Sequence, residues 1–229
     1  RIGLIGHSEG GMIAPMVAAQ SPDVSFIVMM AGPGLTGEEI LLLQTDLILN
    51  VSGVSPEAVA KNALLQEATF RVLKEEKDDA VAEKRLKEII TEALGKMSEE
   101  ERQALGYFSE AGIEQQVKAV LSPWFRYFLT YDPKPALAQV TVPVLAINGE
   151  KDLQVPPEEN LRAIEEALKS GNNRDFTVLE LPGLNHAFQT VTGGSGLDYA
   201  RIEETIAPGA LKVMGDWILE RAGQSGQSQ

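Results

Sequence analysis

A serine set between glycines, after an apolar run and before an apolar helical segment, has the surroundings of a nucleophile. Gly6-His7-Ser8-Glu9-Gly10-Gly11 follows Ile2 to Ile5 in this way. In a strand–turn–helix context the G-x-S-x-G spacing puts the serine on a sharp turn with its Oγ exposed. Glycines at positions 6 and 10 are expected to let the strand and the helix approach each other closely around the strained serine. A hydroxyl attacks only when a base takes its proton and a carboxylate holds that base in the right tautomer. The chain has two histidines, His7 and His186. His7 adjoins the serine on a tight turn, where neighbouring side chains diverge, so His186 is the base by elimination. Asp152 is the candidate acid, in Gly149-Glu150-Lys151-Asp152-Leu153-Gln154-Val155-Pro156. Glu150 is the rival carboxylate in the same turn, and the spacing from Gly149 to Val155-Pro156 favours Asp152.

These residues need a scaffold that brings three distant loops together. Val144 to Asn148 and Phe176 to Leu181 read as strands ending just before Asp152 and His186, respectively. Ser25 to Met30 is a continuous apolar run, as expected of a central parallel strand covered on both faces. Between the strands lie helices. One runs from about Glu9 to Gln20, with Met12, Ile13, Met16 and Val17 suited to burial and Pro15 in its interior. A second, from Pro157 to Ser170, carries Leu161, Ile164 and Leu168 on one face. A third starts at Pro208, with Leu211, Met214, Trp217 and Ile218 directed at the sheet.

The order Ser8, Asp152, His186 and the GHSEGG turn resemble the α/β-hydrolases, and in particular the carboxyl-terminal part of bacterial carboxylesterases and serine aminopeptidase-like enzymes. The resemblance spans nearly the whole chain. It implies an α/β fold with a mostly parallel sheet, and further strands ahead of Arg1 that the sequence does not carry. It also implies an oxyanion hole made by the backbone N–H of Glu9 and a second donor from a loop in that preceding part. Lacking one donor typically costs about 100-fold to 1000-fold in turnover, so this stretch alone is expected to be a weakened catalyst.

From Thr36 to about Leu105 the sequence is helical, with capping boxes at Thr36–Glu39 and Ser98–Glu101 and Pro56 opening a helix after Ser55. Ala82, Leu86, Ile89, Ile90, Ala93 and Met97 form an apolar stripe. The resemblance implies that this insertion is a cap over the active site. The expected organisation is core at 1–34, helical cap and aromatic connector at 35–135, core again at 136–222, and a disordered polar tail at 223–229. The connector Ser122 to Asp132 holds Trp124, Phe125, Tyr127, Phe128 and Tyr131. Trp124 and Phe125 are candidate walls of a substrate pocket, with packing between cap and core as the competing role. Thr192 to Leu197 is glycine-rich, either a mobile gate or a connector.

Composition narrows the partners. A net charge of -13 argues against nucleic acid or an anionic membrane surface. The absence of cysteine excludes disulfides, thiolate metal sites and a cysteine nucleophile. No apolar run approaches the roughly 18 residues of a membrane span. Compartment and oligomeric state stay open. The expected activity is hydrolysis of small carboxylic esters through an acyl-enzyme, with no metal or organic cofactor. A peptidase or thioesterase using the same three residues is one alternative, and a noncatalytic module is another.

Overall fold

A computed structural model describes residues 2–107, 109–193, 197 and 199–223. Contacts divide the chain into two units, Arg1–Leu35 with Asp132–Gln229 and Thr36–Tyr131. The first holds a four-stranded sheet: β1 (Ile2–His7), β2 (Val24–Met30), β3 (Val144–Gly149) and β4 (Phe176–Leu181). The strands lie in the order β1-β2-β3-β4, and every neighbouring pair is parallel. The two central strands are the apolar runs. Ile27 to Met29 of β2 and Val144 to Ala146 of β3 have no exposed surface. At the β1 edge, Ile2 and Ile5 are exposed.

Alternation along the strands sorts their side chains into two cores. Ile27, Met29, Val144 and Ala146 pack with Ala14 of α1 (Glu9–Ala18), Leu137 of a short helix Lys134–Leu137, and Leu161, Ile164 and Leu168 of the helix Pro157–Ser170. Val28, Met30, Leu145 and Ile147 pack on the other face, with Ala210, Met214 and Trp217 of the final helix Pro208–Gly223. The sheet is thus covered on both sides. Each fully buried Leu, Ile or Met contributes about 1.5 to 3 kcal/mol, which makes this double coverage the main stabilising term of the unit.

Two helix faces differ from the sequence reading. In α1 the inward residues are Gly11, Met12, Ala14 and Pro15, whereas Ile13 and Val17 are exposed. Small residues face the sheet because the helix lies so close to it. A Cβ on Gly11 would come within 2.6 Å of the Gly32 Cα. Pro15 is accommodated in the buried face, with its carbonyl accepting from the Ala19 N–H. In the final helix Ala210 is buried and Leu211 exposed, since Ala210, Met214 and Trp217 already form the inward stripe.

In the second unit, α2 (Gly37–Val51), α3 (Pro56–Glu75), α4 (Asp79–Gly95), α5 (Glu99–Ala104), α6 (Glu110–Val120) and α7 (Pro123–Thr130) follow one another. All six have side-chain caps, from Thr36, Ser55, Asp78, Ser98, Ser109 and Ser122. Thr36 and Ser98 form full capping boxes. Ala82, Leu86 and Ile90 are buried with Leu65, Phe70, Val117 and Leu129 in the unit's own core. Arg126 donates to the Leu73 and Glu76 carbonyls and so satisfies the carboxyl end of α3. Of the expected tail, Gly223 ends the final helix and 224–229 lie outside the described residues, as do 194–196 of the glycine-rich stretch.

Candidate active site

Ser8 is the single residue between the last residue of β1 and the first of α1. Its backbone has φ 55° and ψ -119°. A non-glycine residue there carries about 1 to 3 kcal/mol of strain and persists only if neighbours over-determine it. They do. The Ser8 N–H donates to the Met30 carbonyl at 2.8 Å, and the Ser8 carbonyl accepts from the Gly11 N–H at 2.8 Å. Gly6 is sterically required, since a Cβ would sit 2.0 Å from the Gly10 carbonyl oxygen. Gly10 is not required, because nothing lies within 4 Å of where its Cβ would be. The second close approach belongs to Gly11 and Gly32, a tertiary contact that the motif does not announce. Glu9 opens α1, so its N–H is among the first-turn donors of the helix.

Asp152 follows β3 in a turn closed by its own N–H, which donates to the Gly149 carbonyl at 3.0 Å. Its Oδ1 accepts from the Gln154 and Val155 N–H groups at 2.8 and 2.9 Å. Its Oδ2 lies 2.7 Å from His186 Nδ1, and both residues are buried. Asn148, also buried, accepts from the Gly149 N–H and donates to the Val155 carbonyl, so the turn is braced at both ends. Glu150 faces elsewhere. Its carboxylate pairs with Lys151 and accepts the Gly183 N–H, and these two partners hold it below the usual carboxylate range.

His186 lies beyond β4, on a loop built by Asn185. That side chain is fully buried: its Oδ1 accepts from the Ala187 and Gln189 N–H groups, and its Nδ2 donates to Gln189 Oε1. Phe188, with φ 60° and no exposed surface, is fixed by main-chain bonds to Asn185 and Ala207. The Glu150 and Lys151 N–H groups donate to the Leu181 and Leu184 carbonyls, which joins the acid turn to the histidine loop. Tyr199 stands beside this joint, its hydroxyl accepting from Gln154 Nε2 at 2.8 Å. Burial raises its phenol above the usual value, and the Asp152 carboxylate adds to that rise.

The structure thus brings Asp152 and His186 into direct contact. The serine turn is tied to the same loop by a residue given no role from sequence. His7 Nε2 lies 2.8 Å from the His186 carbonyl oxygen, and the two rings are 4.8 Å apart. The only sequence signal for this contact is the position of His7 next to the serine.

Trp124 and Phe125 lie on α7, in the helical unit. Trp124 is exposed and stacks on Phe128 at 5.5 Å. Phe125 packs against the unit's own core, near Phe70, and borders a cavity of about 300 Å³ with Leu86, Ile90 and Tyr107. Burial alone raises the Tyr107 phenol. Among the described residues no helix is long and apolar enough to cross a membrane.

The all-parallel order, the turn at Ser8, the turns after β3 and β4 and the helices inserted between β2 and β3 make this an α/β-hydrolase fold. A family model described as BAAT / acyl-CoA thioester hydrolase C terminal matches residues 1–94. Among solved structures, a putative non-heme bromoperoxidase of Mycobacterium tuberculosis is similar, with 19% identity over 96% of this chain and 67% of that one, at a TM-score of 0.44. A meta-cleavage product hydrolase of Pseudomonas fluorescens is similar at 14% identity, over 97% of this chain and 64% of its own, with a TM-score of 0.42. An esterase of Pyrococcus furiosus shares 12% identity over 96% of this chain and 54% of its own, with a TM-score of 0.44. The chain spans about half to two-thirds of those proteins. No curated protein matches it in sequence.

Proposed function

We propose that the chain carries a serine hydrolase site in which Ser8, His186 and Asp152 cleave carboxylic esters of small substrates through an acyl-enzyme. The observation that carries this reading is the buried 2.7 Å contact between Asp152 Oδ2 and His186 Nδ1. A carboxylate there favours the Nδ1–H tautomer, which leaves Nε2 with the lone pair a general base needs. His186 then takes the proton from Ser8 Oγ as it attacks the acyl carbon, and returns it to the leaving alcohol. Water repeats the sequence and releases the acid. The Glu9 N–H, at the positive end of α1, is suited to stabilise the oxyanion. The chemistry requires no metal or organic cofactor. In this proposal the helical unit is a cap, and Trp124 and Phe125 contact the acyl or alcohol portion.

A second reading is a thioesterase, favoured by the match of residues 1–94 to the family model for BAAT / acyl-CoA thioester hydrolase C terminal. The same three residues attack either carbonyl, and specificity depends on the pocket. A panel of p-nitrophenyl esters of increasing acyl length, acyl-CoA thioesters and peptidyl p-nitroanilides separates the readings. The highest kcat/KM is expected on a short or medium ester. A higher value on a thioester or an anilide would replace the ester reading, whereas absence of turnover on every substrate would favour a noncatalytic module.

A further inference from the structure

We propose that His7 is a positioning residue that locks the histidine loop onto the nucleophile turn through its Nε2–H tautomer. The proposal deepens the serine hydrolase reading and rests on it for its kinetic consequences. A carbonyl oxygen only accepts, so the 2.8 Å contact between His7 Nε2 and the His186 carbonyl requires a proton on that nitrogen. His186 is constrained oppositely, because its Nδ1 faces the Asp152 carboxylate. The chain's two histidines therefore hold opposite tautomers, with their rings 4.8 Å apart.

The mechanical consequence follows from where His7 sits. It is the last residue of β1, paired in register with Met30, and it directly precedes the strained Ser8. The loop it grips is rigid on its other side, through Asn185 and the buried Phe188, whose ring meets His7 edge-on at 6.1 Å. One hydrogen bond thus links the strand that places the nucleophile to the main chain that places the base. The imidazole is needed as a donor with the right reach. A glutamine side chain offers an N–H at a similar distance from the backbone, whereas phenylalanine keeps the ring and offers none.

Two measurements on the intact chain test this. Long-range ¹H–¹⁵N correlation of the imidazoles should show one Nε2–H ring, lost in His7→Gln, and one Nδ1–H ring belonging to His186. A His7 ring in the Nδ1–H form would overturn the proposal, and this readout needs no turnover. In p-nitrophenyl acetate hydrolysis, His7→Ala and His7→Phe should each lower kcat about tenfold, short of the roughly 100-fold that a full 1 Å misplacement of a catalytic group can cost, with KM within about twofold. His7→Gln should recover most of that loss. Equal kcat in wild type and His7→Phe would overturn the proposal, as would a thermal melting shift that accounts for the loss in all three variants. If Ser8→Ala retains wild-type hydrolysis, the hydrolase reading fails, and the tautomer measurement still decides whether His7 is the clamp.

Discussion

Asp152 and His186 are joined across two turns that share main-chain hydrogen bonds, so the carboxylate is fixed before it reaches the imidazole. Oδ1 is committed to the Gln154 and Val155 N–H groups, and only Oδ2 is left for His186. Orientation and charge are therefore separable. Asp152→Asn should preserve the turn yet favour the wrong histidine tautomer, lowering kcat about 10⁴-fold with little change in melting temperature. Asp152→Ala should additionally lose about 1 to 3 kcal/mol, because the buried Val155 N–H and the part-buried Gln154 N–H lose their acceptor. Hydrolysis of p-nitrophenyl acetate beside urea denaturation distinguishes the two variants.

The glycines of the serine turn are unequal. Gly6→Ala drives a Cβ into the Gly10 carbonyl and should destabilise the protein by about 3 kcal/mol or more, the upper range for overpacking. Gly10→Ala enters open space in the first turn of a helix and should be neutral, or stabilising by about 0.5 to 1 kcal/mol. Urea midpoints of the two variants measure the difference, and equal destabilisation would contradict the packing described.

Asn185 organises the histidine loop from a fully buried position. Asn185→Ala strips the acceptor from the Ala187 and Gln189 N–H groups and should cost about 1 to 3 kcal/mol. Because the loop carries His186, turnover should fall along with stability. Hydrogen exchange at Ala187 and Gln189 should accelerate before global unfolding.

On α7 the two aromatic candidates should separate. Phe125→Ala should destabilise the helical unit by about 3 kcal/mol, less if the neighbouring cavity lets the core relax. Exposed Trp124 should be nearly silent in stability, and Trp124→Ala should change the preferred acyl length in the ester panel.

Much of the sheet unit is legible in the sequence because its signals are local. Uninterrupted apolar runs mark β2 and β3, and turn residues mark the ends of β3 and β4, where Asp152 and His186 lie. The inward faces of α1 and the final helix do not follow from hydrophobicity alone. Close approach instead selects Gly11 and Ala14 over Ile13 in α1, and Ala210 over Leu211 in the final helix. The His7–His186 contact spans residues 179 apart in sequence, and no local pattern encodes it. Asn185 resembles any loop asparagine until the three hydrogen bonds of its side chain are known.

Covalent labelling decides whether Ser8 is the nucleophile. Reaction of the protein with a fluorophosphonate, followed by peptide mass spectrometry, should place a single adduct on Ser8, and Ser8→Ala should abolish it. An adduct on another serine, or undiminished labelling of Ser8→Ala, would rule out Ser8 as the nucleophile.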